Sequence, residues 1–161
     1  MNTKKEITPQ KWDEEVIPGI RLILEAARRP PFVREIAGSH GEPGTHPHFG
    51  EDRIMFNGLG EDGYETMEIK RTVDDFYCCK TARNPYDAVC VAVLIFMETC
   101  FRTQFSWHSD GDHDEEDLKQ EGLAILKATF DYELFERKSL MKCIKESLKK
   151  EDPALQGNPV T

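Results

Sequence analysis

The sequence predicts an α+β fold: a small mixed sheet, made of an antiparallel hairpin and a β-α-β unit, with helices packed on it and helices added at both ends. Three observations carry that reading. Residues 53–71, "RIMFNGLGEDGYETMEIKR", hold two strand-like runs around a Gly-rich turn, the pattern of a hairpin. Residues 88–97, "AVCVAVLIFM", are apolar without interruption, as in a helix buried on all sides. The aromatic-rich runs "DDFYCCK" and "TQFSWHS" flank that helix and read as the two strands it would connect.

Each element follows in order. Thr8 and Pro9 open a helix, with Thr as cap and Pro in the first turn, and Trp12, Val16, Ile20, Ile23 and Leu24 keep helical spacing. Pro18-Gly19 interrupts the pattern and predicts a kink or two short helices. This N-terminal arm, 1–37, ends at "ARRPP", and a Gly/Pro/His-rich loop, 38–52, follows with neither period. The α+β core spans 53–130: strands at about 53–57, 64–71 and 75–80, a helix at about 85–102 capped by Asn84-Pro85, a strand at 103–108, and a helix at about 114–130. A C-terminal helix, 131–150, and a tail, 151–161, complete a single domain of 161 residues. The C-terminal helix has an apolar side formed by Leu134, Leu140, Met141, Ile144 and Leu148. It is expected to pack on the N-terminal arm, or to exchange between chains and make a homodimer.

The bulk numbers bound the function classes. Formal net charge is −9. A general nucleic-acid binder needs a basic face to displace counterions, so that class is disfavoured, while a partner with a basic surface stays open because an acidic protein is steered towards one. No run has the length of a membrane span and "MNTKKEITPQKWDEE" has no apolar signal core, so a soluble, cytoplasmic protein is expected. The cysteines at 78, 79, 90, 100 and 143 are odd in number and lack CxxC spacing, which reads as reduced thiols.

The candidate site is the strand-to-helix loop "KTARNPYD". If the strands at 75–80 and 103–108 are parallel neighbours, their C-terminal ends share one sheet edge. That edge gathers Lys80, Thr81, Arg83 and the helix start at Asn84-Pro85 with Ser109, Asp110 and Gly111. A helix N-terminus flanked by Lys and Arg suits an anion. The plainer reading is ordinary capping, with Lys80 and Arg83 paired to Asp87, Asp110 or Asp112 across the edge.

"FNGLGEDGYET", "CCKTARNPYD" and "HSDGD" resemble an uncharacterised family of small phage and bacterial proteins with an "FNG…ET…CKTARKPYD…SSDGD" pattern. The resemblance covers 53–130 and departs from the pattern at Tyr64, Asn84 and His108. It implies a fold and a phage-type origin, and that Lys80, Arg83, Tyr86, Asp87, Ser109, Asp110 and Gly111 belong together. It implies no activity.

Other patterns are weaker. "DGDHDEEDLKQE" places Asp110, Asp112, Asp114 and Glu121 at EF-hand spacing, but Glu115 stands where the loop requires Gly. Weak divalent-cation binding at Asp110 and Asp112 is the most this supports, and no cofactor is expected. His40, His46 and His48 lie in the 38–52 loop without a completing ligand at motif spacing. Charge is segregated: residues 110–121 carry a net −6 and 137–150 a net +5. There is no Gly-x-Ser-x-Gly elbow and no P-loop.

The expected function is therefore that of a phage-type binding protein, acting on a host protein or sequestering a small anionic ligand. The alternative is a small metal-dependent hydrolase on phosphorylated or nucleotide substrates. In it Lys80 and Arg83 would hold the phosphate, Asp110 and Asp112 a Mg²⁺, and His108 would move a proton.

Overall fold

A computed structural model of the chain describes residues 5–73, 77–109 and 115–130. The C-terminal helix and tail expected at 131–161, and the acidic turn at 110–114, lie outside the described residues.

Among the described residues the fold is α+β, with a four-stranded and a two-stranded sheet whose pairings are all antiparallel. The central strand is β4 (Arg53–Gly58), preceded in the chain by β1 (Lys5–Glu6), β2 (Ile36–Ala37) and β3 (His48–Phe49). β5 (Met67–Lys70) and β6 (Thr72–Val73) follow it. β4 pairs with β5 in the register Ile54 to Ile69 and Phe56 to Met67, which confirms the expected hairpin. These four side chains are buried, whereas Arg53 and Glu68 face out and form an ion pair at 3.2 Å, so the strand period sorts apolar from charged residues. β3 and β2 also pair with β4, and β1 with β6. These two-residue strands were not legible in the sequence, because nothing so short shows a period.

The N-terminal helix is continuous through Pro18-Gly19. A short α1 (Pro9–Lys11) runs into a π-helical turn, Trp12–Val16, and then into α2 (Ile17–Arg28). The expected kink is thus a widened turn. Pro18 has no N–H to give, and the chain accommodates this by bonding Ile17 N–H to Trp12 O, five residues back. Thr8 caps the start, its side chain accepting from Lys11 N–H. Gly19 lies so close to the Phe96 ring that a Cβ there would stand 2.4 Å from it.

α3 (Asp87–Cys100) is the central buried helix, as its uniform apolarity predicts. α4 (Glu115–Phe130) crosses it. The Phe96 and Phe130 rings stack with centroids 6.0 Å apart. At Gly122 an added Cβ would meet Val91 Cγ1 at 2.7 Å and Ala92 N at 3.0 Å, so glycine is what lets the two helices approach. One core cluster joins Trp12, Ile20 and Ile23 of the arm to Ile54 and Phe56 of the sheet and to Phe96 and Ile125 of the helices. Trp12 is 0% exposed, and its indole N–H donates to Gly50 O at 2.8 Å.

The described residues do not form the β-α-β unit. Residues 77–80 and 101–109 contain no strand, and the rest of the expected 75–80 strand is outside the described residues. The aromatics that suggested strands do other work: Tyr77 donates its hydroxyl to Thr66 O at 2.5 Å, and Phe105 packs against the core from a turn. No described helix is long and apolar enough to cross a membrane.

Candidate functional site

The segment 77–87 is held against the hairpin turn by a polar network. Asn57, 4% exposed at the end of β4, is the anchor of that turn. Its amide Nδ2 donates to Ser39 O at 3.1 Å and Tyr64 O at 3.0 Å, while Oδ1 accepts from Gly58 N at 2.8 Å and Tyr64 N at 3.1 Å. The Thr66 hydroxyl also donates to Ser39 O. The loop 77–87 docks on this turn: Glu65 N donates to Lys80 O at 3.1 Å, and Lys80 N donates to the Glu65 carboxylate at 2.6 Å. Tyr86 Oη donates to Glu65 O at 2.6 Å, with Lys80 O at 3.3 Å as a second acceptor, and Asn84 Nδ2 donates to Gly63 O at 2.5 Å.

Several residues of the motif therefore have structural duties. Tyr86 is fully buried and supports the loop from beneath. Asn84 is not a side-chain cap: the residue preceding α3 is Tyr86, no side chain caps that helix, and Asn84 contributes its carbonyl to Asp87 N–H at 2.8 Å. Between Thr81 and Asn84 the chain makes a tight turn closed by Asn84 N–H to Thr81 O at 3.0 Å. Ala82 and Arg83 both take positive φ there, 52° and 56°, a left-handed conformation that costs non-glycine residues roughly 1–2 kcal/mol each.

The thiols are unbridged at Cys78, Cys79, Cys90 and Cys100. Cys79 contacts Glu65 O at 3.7 Å. A hydrogen bond with Cys90 holds the Cys79 thiol below the ordinary range, and burial pushes Cys90 well above it. Burial likewise raises the phenols of Tyr77 and Tyr86.

Where the turn meets α3 there is a cleft of about 270 Å³. From the predicted set it takes Arg83 and Asp87, and from their surroundings Asn84 and Pro85. It also takes Arg34, from the loop between α2 and β2, and Glu121, from α4. Asp87 is 9% exposed and its Oδ2 is buried without a hydrogen-bond partner; the Nε of Arg34 is in the same condition. Buried polar atoms are almost always bonded, so two lining residues that carry orphans of opposite character mark this cleft out.

The remaining predicted residues fall elsewhere. Lys80 is exposed and Thr81 half-buried, and neither lines this cleft. Ser109 is half-buried at the end of the described 77–109 segment. Asp110, Gly111 and Asp112, the metal candidates among them, are outside the described residues. Among the described residues there is no parallel strand pair, so they do not form the shared sheet edge that would gather both groups. Among the described residues no group of three or more His, Cys, Asp or Glu is placed to hold a metal, and His40, His46 and His48 are exposed. Arg34 carries no sequence signal, and Glu121 shows only as the last position of the incomplete EF-hand spacing; the fold brings both to the cleft that Asp87 lines.

A second cleft, of about 380 Å³, lies at the other end of α3 and is lined by Glu98, Thr99, Arg102, Phe105 and Ser106. Neither orphaned cleft atom, Arg34 Nε or Asp87 Oδ2, lies in it. No family model, no curated protein and no solved structure matches the chain.

Proposed function

We propose that the protein binds a small ligand bearing an anionic group in the cleft at the N-terminus of α3. The observation that carries this is Arg34 Nε, a buried N–H without a partner, in a cleft that Arg83 also lines. A guanidinium offers two parallel donors to a carboxylate or phosphate. The helix N-terminus adds a favourable field for the same charge. The volume, just under the usual range for ligand pockets, suits a metabolite rather than a polymer.

The phage-type origin, cytoplasmic location and host-protein target rest on the sequence resemblance and on the net charge of −9. They describe where such a binding protein would work rather than how.

Native mass spectrometry of the full chain as purified, followed by thermal melts with inorganic phosphate, acetate and citrate, tests the ligand reading. A retained small molecule, or a saturable rise in Tm that Arg34→Gln abolishes, is expected. A mass equal to the bare chain together with unchanged melts would refute it. Turnover in a phosphatase and nucleotidase panel with Mg²⁺ or Mn²⁺ would favour the hydrolase alternative instead.

A further inference from the structure

We infer that the ligand of this cleft is a small zwitterion, with an anionic group for Arg34 and a protonated amine for Asp87. The inference rests on the ligand-binding reading above and narrows its chemistry.

The cleft is not a simple anion site. Arg34 and Arg83 bring two positive charges, and Asp87 and Glu121 bring two negative ones. A bare anion drawn to Arg34 would be set against two carboxylates, and a bare cation against two guanidiniums. Asp87 faces the sharper demand. It is nine-tenths buried in the first turn of α3, and its Oδ2 has no donor. An ionised carboxylate is an acceptor only, so what completes it must carry N–H or O–H. Arg34 Nε is a donor only, so what completes it must carry an acceptor. One molecule satisfies both atoms only if it carries both functions, and the charges of the four lining side chains favour an ammonium for one and a carboxylate or phosphate for the other. Pro85 and Ala88 supply uncharged wall. A cleft of about 270 Å³ admits a free amino acid or an amino-phosphate.

The test is calorimetric titration of the full chain with glycine, β-alanine, γ-aminobutyrate and O-phosphoethanolamine. Acetate and inorganic phosphate serve as anions without an amine, and glycine betaine as a zwitterion without N–H donors. At least one amine-bearing zwitterion should bind about tenfold or more tightly than its matched anion, as expected for a charge-assisted hydrogen bond to a buried carboxylate, and betaine should not. The preferred carbon spacing reads the separation of the two groups, and the carboxylate and phosphate arms distinguish the two ligand sources. Asp87→Asn should erase the amine preference while simple anions bind as well or better, because a repelling charge is gone. Its melting curve reports whether it folds, and the wild-type comparison with betaine needs no variant.

If simple anions bind as tightly as the zwitterions, this inference falls and the anion-binding reading stands. If nothing binds, both fall. If zwitterions bind but betaine matches them, or a folded Asp87→Asn leaves the preference intact, Asp87 is not the selector and the inference is overturned.

Discussion

Replacing Asn57 should be among the most damaging single changes outside the apolar core. Its side chain makes four hydrogen bonds to the backbone of three residues, Ser39, Gly58 and Tyr64. Asn57→Ala removes all four and strands the buried Gly58 N–H. At about 1 kcal/mol for each bond, and more for the buried donor, the loss comes to about 3–5 kcal/mol. That is a large part of the roughly 5–15 kcal/mol that stabilises a typical domain. Asn57→Asp separates geometry from hydrogen bonding. One oxygen still accepts from Gly58 N and Tyr64 N, but the other now faces the carbonyls of Ser39 and Tyr64 at the 3.0–3.1 Å that Nδ2 occupies. Ionised, it repels both; protonated, it donates to one. Burial and the two carbonyls raise its folded-state pKa above the unfolded value, so its stabilising form is complete at low pH and is lost as pH rises through that raised value. Urea denaturation followed by the fluorescence of buried Trp12 measures both variants. Asn57→Asp should recover part of its deficit relative to wild type between pH 7 and pH 4. A loss below about 1 kcal/mol in Asn57→Ala, or no relative recovery of Asn57→Asp on acidification, would show that the network is not what holds the turn.

Two further outcomes follow from the packing and the buried acids. Gly122→Ala forces a Cβ to within 2.7 Å of Val91 Cγ1 and 3.0 Å of Ala92 N, and because one of these is backbone the helices must move apart. A loss of about 1–3 kcal/mol is expected in the same denaturation assay, against a gain of up to about 1 kcal/mol if helix propensity alone decided. The protein should also be labile to alkali. Burial raises Cys90, Tyr77 and Tyr86 in the folded state, so as pH climbs through the ordinary thiol and phenol range the unfolded chain ionises first and stability falls. Cys79, held low by Cys90, contributes in the opposite sense, and Cys90→Ala should flatten the decline measured by Tm between pH 8 and pH 10.5.

The sequence by itself determined the elements whose pattern is long enough to be read and whose partners are near in the chain. The hairpin of β4 and β5, the buried α3, the start of the arm at Thr8-Pro9 and the presence of a helix over 115–130 all follow from periodicity, turn chemistry and capping. Among the described residues it failed at "YCCK" and "TQFSWHS", where aromatic content imitates a strand. Backbone pairing needs a free neighbouring edge, and at 77–80 the chain instead engages the hairpin turn through Glu65. Of the candidate site it supplied Arg83 and Asp87, because a cation and a carboxylate at a helix start are visible as local chemistry. Tertiary structure decided the rest. Arg34 and Glu121 lie far from Asp87 in the chain and reach it only because β2 pairs with β4 and Gly122 lets α4 close on α3. Tyr86 went to a structural duty because its ring is enclosed by the core while its hydroxyl still requires an acceptor, which Glu65 provides. Charge, cap and period are properties of neighbouring residues, whereas which polar atoms end buried without a partner depends on every contact in the fold.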